Sequence, residues 1–233
     1  MTTKSPQKKH SKRYQELANK IDKNKLYSLS EVIALVKQTS AVKFDAGVEM
    51  HAHLGIDHKK GDQQVRGTVS LPHGTGKKIK IAAFVPPEQE KAVTAAGADL
   101  VGGVSLIAKI KETSKSDFDV AVATPAMMKE LAKIAKILGP RNLMPSPKNE
   151  TVTADVAKAV TALKKGRLAF KNDDTGNLHL LIGRVSFSDQ QLLDNLTTFI
   201  ETLKTAKPTA VKGVFIKSLT LTSSMGPAVK LQP

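Results

Sequence analysis

The spacing of apolar residues changes along the chain, and the changes divide it. Leu29, Val32, Ile33 and Val36 recur at helical intervals behind Ser28 and Glu31, which stand at capping-box spacing, so a helix is expected there. The period then drops to two. Val48, Met50, Ala52, Leu54 and Ile56 share one face of AGVEMHAHLGI, while Glu49, His51 and His53 share the other, the pattern of a half-buried strand. HKKGDQ predicts a turn and QVRGTVSL a second strand, and the pair reads as an antiparallel hairpin with one wet face.

From Lys78 to Gly139 the pattern is strand, then helix, repeated. KIKIAAFV and FDVAVA read as buried strands and ADLVGG as a short one. PPEQEKAVTAAG reads as a helix opened by proline and closed at Gly97, VSLIAKIK as a second, and TPAMMKELAKIAKILG as one helix from Thr124 to Gly139. Such alternation specifies a parallel sheet covered by helices. The helix of ADVAKAVTALKKG follows. After Gly166 the period of two returns in RLAFKN and NLHLLIGRV, around the turn NDDTG. An amphipathic helix opened by Ser188 and a last strand, GVFIKSLTLT, complete the pattern. The expected fold class is therefore α+β with two domains. Residues 1–73 and 166–233 form a split, sandwich-like α+β domain, and residues 74–165 form an inserted α/β domain, Rossmann-like with a parallel sheet. Glycines mark both crossings, so His73, Gly74 and Gly166 are expected at a hinge.

Charge changes the picture most. The 233 residues carry 36 Lys and Arg against 21 Asp and Glu, a formal net charge of +15, which favours a polyanionic partner. Residues 1–73 have thirteen basic residues against seven acidic, 74–165 fifteen against nine, and 166–233 eight against five, so both expected domains are basic. Lys4, Lys8, Lys9, Lys12, Arg13, Lys20, Lys23 and Lys25 make a basic N-terminal arm. Aromatic residues are 4% with no Trp, which disfavours stacking platforms for single strands and favours charge, backbone and shape recognition. The absence of cysteine excludes disulfides and thiolate chemistry and fits a reduced, cytoplasmic compartment. No apolar run reaches membrane-spanning length, and the N-terminus has no signal-like apolar core, so no membrane partner is expected.

Candidate chemistry is thin. HGTGKK, residues 73–78, offers a glycine turn and lysines, but the Walker spacing fails and Lys78 stands where a magnesium-binding hydroxyl is needed, so a hinge is the better reading. His51 and His53 share a strand face, with only His58 or Glu49 as further ligands, so a polar face meeting RNA or water outranks a metal site. Asp173 and Asp174 lie in a turn sequence that explains them without catalysis. GPRNLMPSPK, residues 139–148, is too proline-rich for a helix or central strand and reads as a stiff loop carrying Arg141 and Lys148. Small residues in SSMGP, residues 223–227, allow close approach to a ribose–phosphate chain, but on the residues alone an ordinary turn at a strand end is the better reading.

KFDAGVEMHAHLGID, QVRGTVSLPHGTGK, LGPRNLMPSPKNETVT, FKNDDTGNLH and LTSSMGP, in this order, closely resemble the ribosomal protein L-one family, found on the mobile lateral stalk of the large subunit. The resemblance covers nearly the whole chain. It implies no enzyme, no cofactor and no metal. It implies a monomer within the ribosome, binding the stalk region of large-subunit rRNA, assisting release of exit-site tRNA, and repressing its own operon mRNA. By motif position it places rRNA contacts on Phe44, Glu49, Lys171, His179, Thr222, Ser224, Met225 and Gly226, and leaves Arg141 and Lys148 for tRNA or rRNA phosphate. Three loop positions depart from the family pattern, where Asn142, Ser146 and Glu150 replace glycine, asparagine and glycine. Ser223 and Ser224 stand for threonines, and Asp174 for a basic residue. The competing expectations are a nucleotide-dependent α/β enzyme and a non-specific DNA-binding architectural protein.

Overall fold

The computed structural model describes residues 11–22, 24–57, 59–141 and 143–232, with Lys148 described by its backbone alone. The expectations placed on Lys4, Lys8, Lys9, Lys23, His58, Asn142 and the Lys148 side chain lie outside the described residues. In chain order the elements are α1 (Lys12–Ala18), α2 (Leu29–Gln38), β1 (Gly47–Leu54), β2 (Arg66–Ser70), β3 (Ile81–Phe84), α3 (Pro87–Ala95), β4 (Leu100–Gly102), α4 (Val104–Thr113), β5 (Val120–Ala123), α5 (Met128–Leu131), α6 (Ala135–Leu138), α7 (Val156–Lys164), β6 (Arg167–Lys171), β7 (Asn177–Arg184), α8 (Asp189–Thr205), β8 (Ile216–Ser223) and β9 (Val229–Leu231). They gather into two compact units. One comprises Met1–Gln64, Asn172–Thr197 and Lys207–Pro233, and the other Val65–Lys171 and Thr198–Ala206.

The first unit is built on an antiparallel sheet of order β7-β1-β8-β9. Alternation sets its two faces. Val48, Met50, Ala52 and Leu54 of β1, Leu178, Leu180 and Ile182 of β7, and Leu219 and Leu221 of β8 are buried. Their neighbours in sequence point the other way. Helix α2 covers the buried face with Val32, Ile33 and Val36. Its start is fixed as the sequence predicts: the Ser28 amide donates to the Glu31 carboxylate at 2.9 Å, closing a capping box. Ser188 and Gln191 close the same kind of cap on α8, at 3.0 and 3.2 Å.

The second unit contains the parallel sheet β4-β3-β5. Adjacent residues of β3 enter opposite cores. Ala82 and Phe84 pack with Ile107 and Ile110 of α4 and with Leu131, Ile134 and Leu138. Ile81, Ala83 and Val85 pack with Val93 of α3 and Val156 and Val160 of α7. A sheet buried on both faces requires such continuous apolar strands, which is why this segment lacks alternation.

Several expectations are corrected. β1 and β2 do not form a hairpin. β1 has β7 on one side and β8 on the other, which uses both of its edges, while β2 pairs antiparallel with β6. The segment from Thr124 to Gly139 is not one helix; short 3-10 turns at Pro125–Met127 and Ala132–Ile134 alternate with α5 and α6. Its buried residues Met127, Leu131, Ile134 and Leu138 still fall on one side, so the apolar pattern survives the change in hydrogen bonding. GVFIKSLTLT is not the last strand, because β9 follows SSMGP and adds to the free edge of β8. Within the basic arm, α1 is capped by Ser11 and buries Leu17. Among the described residues no helix is long and apolar enough to cross a membrane.

Candidate nucleic-acid interface

The outward face of the first unit's sheet is polar, and its rows follow from the register. Leu181, Glu49 and Thr222 stand side by side, then His179, His51 and Thr220, then Asn177, His53 and Ser218. Three of the motif-predicted residues, Glu49, His179 and Thr222, therefore share one face.

The turn after β8 brings three more to one end of that face. The Gly226 amide donates to the Ser223 carbonyl at 2.8 Å, and the Ser224 amide to the Gly47 carbonyl at 2.9 Å. The Thr222 hydroxyl donates to the Gly226 carbonyl at 3.2 Å. Met225 is held at φ 65, in the left-handed region, with its side chain 73% exposed. A Cβ on Gly226 would run into the Ser223 hydroxyl, so a larger residue there would have to turn that side chain away. Phe44, three residues before Gly47, is 57% exposed. Two large apolar side chains thus stand in water where β1 begins and β8 ends, a place that burial alone would not give them.

Opposite the midpoint of β1, His51 Nδ1 and His179 Nδ1 lie 2.7 Å apart. His179 Nε2 lies 3.6 Å from Asp173 Oδ2, and His53 Nδ1 contacts Asn177 Oδ1 at 2.8 Å. The alternate histidines of β1 thus point to different partners. Among the described residues no cluster of three metal-binding side chains forms. Burial, and then the neighbouring His179, push the His51 imidazolium below the usual histidine value, with Glu49 pulling the other way. Burial would raise the Asp173 carboxyl, but bonds from the Asn177 amide, the Thr175 hydroxyl and the Thr175 amide, with the charge of His179, hold it down at about 2.

Lys171 ends β6 in the second unit and is exposed. Arg141 is there too, its guanidinium donating to the Ser116 hydroxyl at 2.5 Å. Its loop is anchored rather than slack: Leu143 and Met144 pack on the core, and Pro147–Asn149 forms a 3-10 turn. Glu150 adopts φ 54, in the left-handed region that glycine takes most readily, and pairs with Arg167.

The HGTGKK segment runs into strand β3, whereas a phosphate loop runs into the N-terminus of a helix. Lys77 is bound to Asp119 at 2.7 Å, and that bond is the main reason the Asp119 carboxyl titrates low. Instead, within the second unit, the chain at Gly74 meets the chain at Gly166 backbone to backbone. Gly74 has φ 63 and Gly166 φ 104, and a Cβ on Gly166 would stand 2.5 Å from the Gly74 Cα. The Leu71 amide donates to the Gly166 carbonyl at 3.2 Å.

Comparison with known proteins decides the family. A profile of the ribosomal protein L1p/L10e family matches residues 36–227. The chain belongs to that family. It is 49% identical over 225 residues to the large ribosomal subunit protein uL1 of Thermosipho africanus, covering 97% of both chains. It is 50% identical over 223 residues to that of Kosmotoga olearia, covering 96% of both. The protein of the same name from Thermobifida fusca is 49% identical over 225 residues, with 97% of this chain and 95% of the other covered. These relatives bear the name of a ribosomal protein and not of an enzyme.

Proposed function

We propose that the protein is a structural component of the large ribosomal subunit that binds the stalk region of its rRNA through the outward sheet face of the first unit. Phe44, Glu49, His179, Thr222, Ser224, Met225 and Gly226 make the contacts, with Lys171 on a phosphate. The observation that carries this reading is the pairing of exposed Phe44 and Met225 with polar, close-approach backbone around β1 and β8. Hydroxyls and backbone groups suit 2′-OH and phosphate, Phe44 and Met225 suit sugar and base surfaces, and the net charge of +15 supplies attraction.

The finer roles rest on family membership. The protein assists release of exit-site tRNA, with Arg141 and Lys148 available to its phosphates, and it acts as a monomer of the cytoplasmic ribosome. The glycine contact of Gly74 with Gly166, beside His73, serves as the hinge between residues 74–165 and the rest. Surplus protein represses its own operon mRNA where that mRNA imitates the rRNA site.

The test is a titration of the stalk rRNA fragment beside an unrelated hairpin RNA and a duplex DNA, at several salt concentrations. Stalk RNA is expected to bind far more tightly than both, and to keep its margin as salt rises. Met225→Ala is expected to weaken it by about tenfold, about 1.4 kcal/mol, the scale of a contributing interface residue short of a hot spot. Equal binding of all three, falling together with salt, would reduce the contact to counterion release and favour the non-specific DNA-binding alternative.

A further inference from the structure

We propose that His51 and His179 form a one-proton unit that couples RNA binding to pH, with His51 a positioning residue acting on the RNA through His179. This inference rests on the RNA-binding face proposed above.

The geometry sets the proton count. Two imidazole nitrogens at 2.7 Å need one proton between them. With none, two lone pairs oppose; with two, two N–H groups collide. His179 Nε2 faces Asp173 at 3.6 Å, which favours a proton on that nitrogen. In the neutral pair, then, His51 donates its Nδ1 proton to His179 Nδ1. One further proton can enter the pair, and a second cannot without opening it. The added charge settles on His179, because His179 is exposed and has the Asp173 carboxylate beside it, whereas His51 is half-buried. The entering proton binds His51 Nε2 while the shared proton passes from His51 Nδ1 to His179 Nδ1, so His51 stays neutral and accepts the hydrogen bond that it donated before, and the imidazolium of His179 faces outward with a fixed orientation.

The surrounding charges agree with this assignment. On the same face of β1 stand Glu49, which favours protonation, and His53, which is engaged with Asn177. The turn before β7 supplies Asp173, held ionised, and exposed Asp174. β8 presents Ser218, Thr220 and Thr222, all uncharged, and β9 places Lys230 beyond Thr220. A phosphodiester arriving at His179 adds a negative charge and stabilises the protonated pair. By linkage, binding takes up a proton and tightens as pH falls.

The experiment measures affinity for the stalk rRNA fragment from about pH 8 to about pH 6, using full-length wild type, His179→Gln and His51→Asn. Wild type is expected to gain about threefold to tenfold across this range, within the limit of one proton. His179→Gln is expected to flatten the profile. His51→Asn retains a hydrogen-bonding group without a titrating one, and is expected to move the midpoint of the profile. Parallel profiles in all three proteins would overturn the proposal while leaving the RNA-binding reading intact. Nitrogen NMR of the wild-type imidazoles needs no substitution and no RNA. It is expected to show a protonated Nδ1 on His51 and a single shared titration. Two independent ordinary histidine titrations would also overturn the proposal. Failure of the stalk RNA to outbind the control hairpin at every pH would instead sink the RNA-binding reading.

Discussion

Single residues show where this backbone has no freedom. Gly166 combines φ 104 with a space that a methyl group cannot enter, since its Cβ would meet the Gly74 Cα at 2.5 Å. Gly166→Ala is therefore expected to cost at least about 2 kcal/mol, combining a strained backbone with a forced shift of the neighbouring chain. Urea denaturation measures it, and a loss under about 0.5 kcal/mol would mean that the chains at Gly74 and Gly166 part easily. Glu150 is the milder case. At φ 54 it bears a cost that glycine would avoid, partly offset by its pairing with Arg167. Met225 also lies in the left-handed region, but its side chain is in solvent. Met225→Ala is expected to change stability by less than about 0.5 kcal/mol, which separates its effect on RNA from any effect on folding.

At the scale of elements, what was legible in the sequence was what is local. The capping box at Ser28, the helix start at Ser188, the alternation of β1 and β7, and the continuous apolar β3 and β5 are set by neighbours in sequence, and the structure has them where the pattern put them. The partner of a strand is not local. β2 finds β6, about a hundred positions away, and nothing in QVRGTVSL distinguishes that partner from β1. Helix α1 and strand β9 escaped notice because each is short and buries few side chains, too few to make a period. The turn from Asp173 to Asn177 was legible as a turn, yet its electrostatics needed coordinates. Asp173 accepts from the Thr175 amide and hydroxyl and from the Asn177 amide, at 2.7 to 2.9 Å. Its folded value of about 2 lies below the ordinary 3.8, so its stabilising effect is complete above about pH 4 and lost as pH falls through about 2. Asp173→Asn is expected to be less stable than wild type near neutrality, with the difference closing across that acid window in melts taken at successive pH values. A difference that stayed constant would mean that shape, not charge, holds the turn.

The whole molecule explains why the candidate site was only half legible. Its members come from segments near residues 44, 171, 179 and 225, so three of the five ordered motifs could name them but no spacing rule could assemble them. The contact between His51 and His179 spans 128 positions and has no local sign. Charge, by contrast, was readable from the start, and it separates two kinds of contact that the proposed function combines. Cations on phosphates release counterions, so each contributes to the slope of affinity against salt, whereas apolar and hydroxyl contacts do not. Lys171 is exposed at the end of β6 and is proposed to meet a phosphate. Lys171→Gln is expected to weaken stalk RNA, control hairpin and duplex DNA by similar factors and to lower the salt slope by about one. Met225→Ala is expected to weaken the stalk RNA selectively, by a constant factor at every salt concentration, with the slope unchanged. Both slopes come from one fluorescence titration series. If Lys171→Gln left the slope intact, that lysine would drop out of the phosphate contacts. If Met225→Ala changed the slope, its effect would have to pass through rearranged charges, and the apolar contact proposed for it would fail.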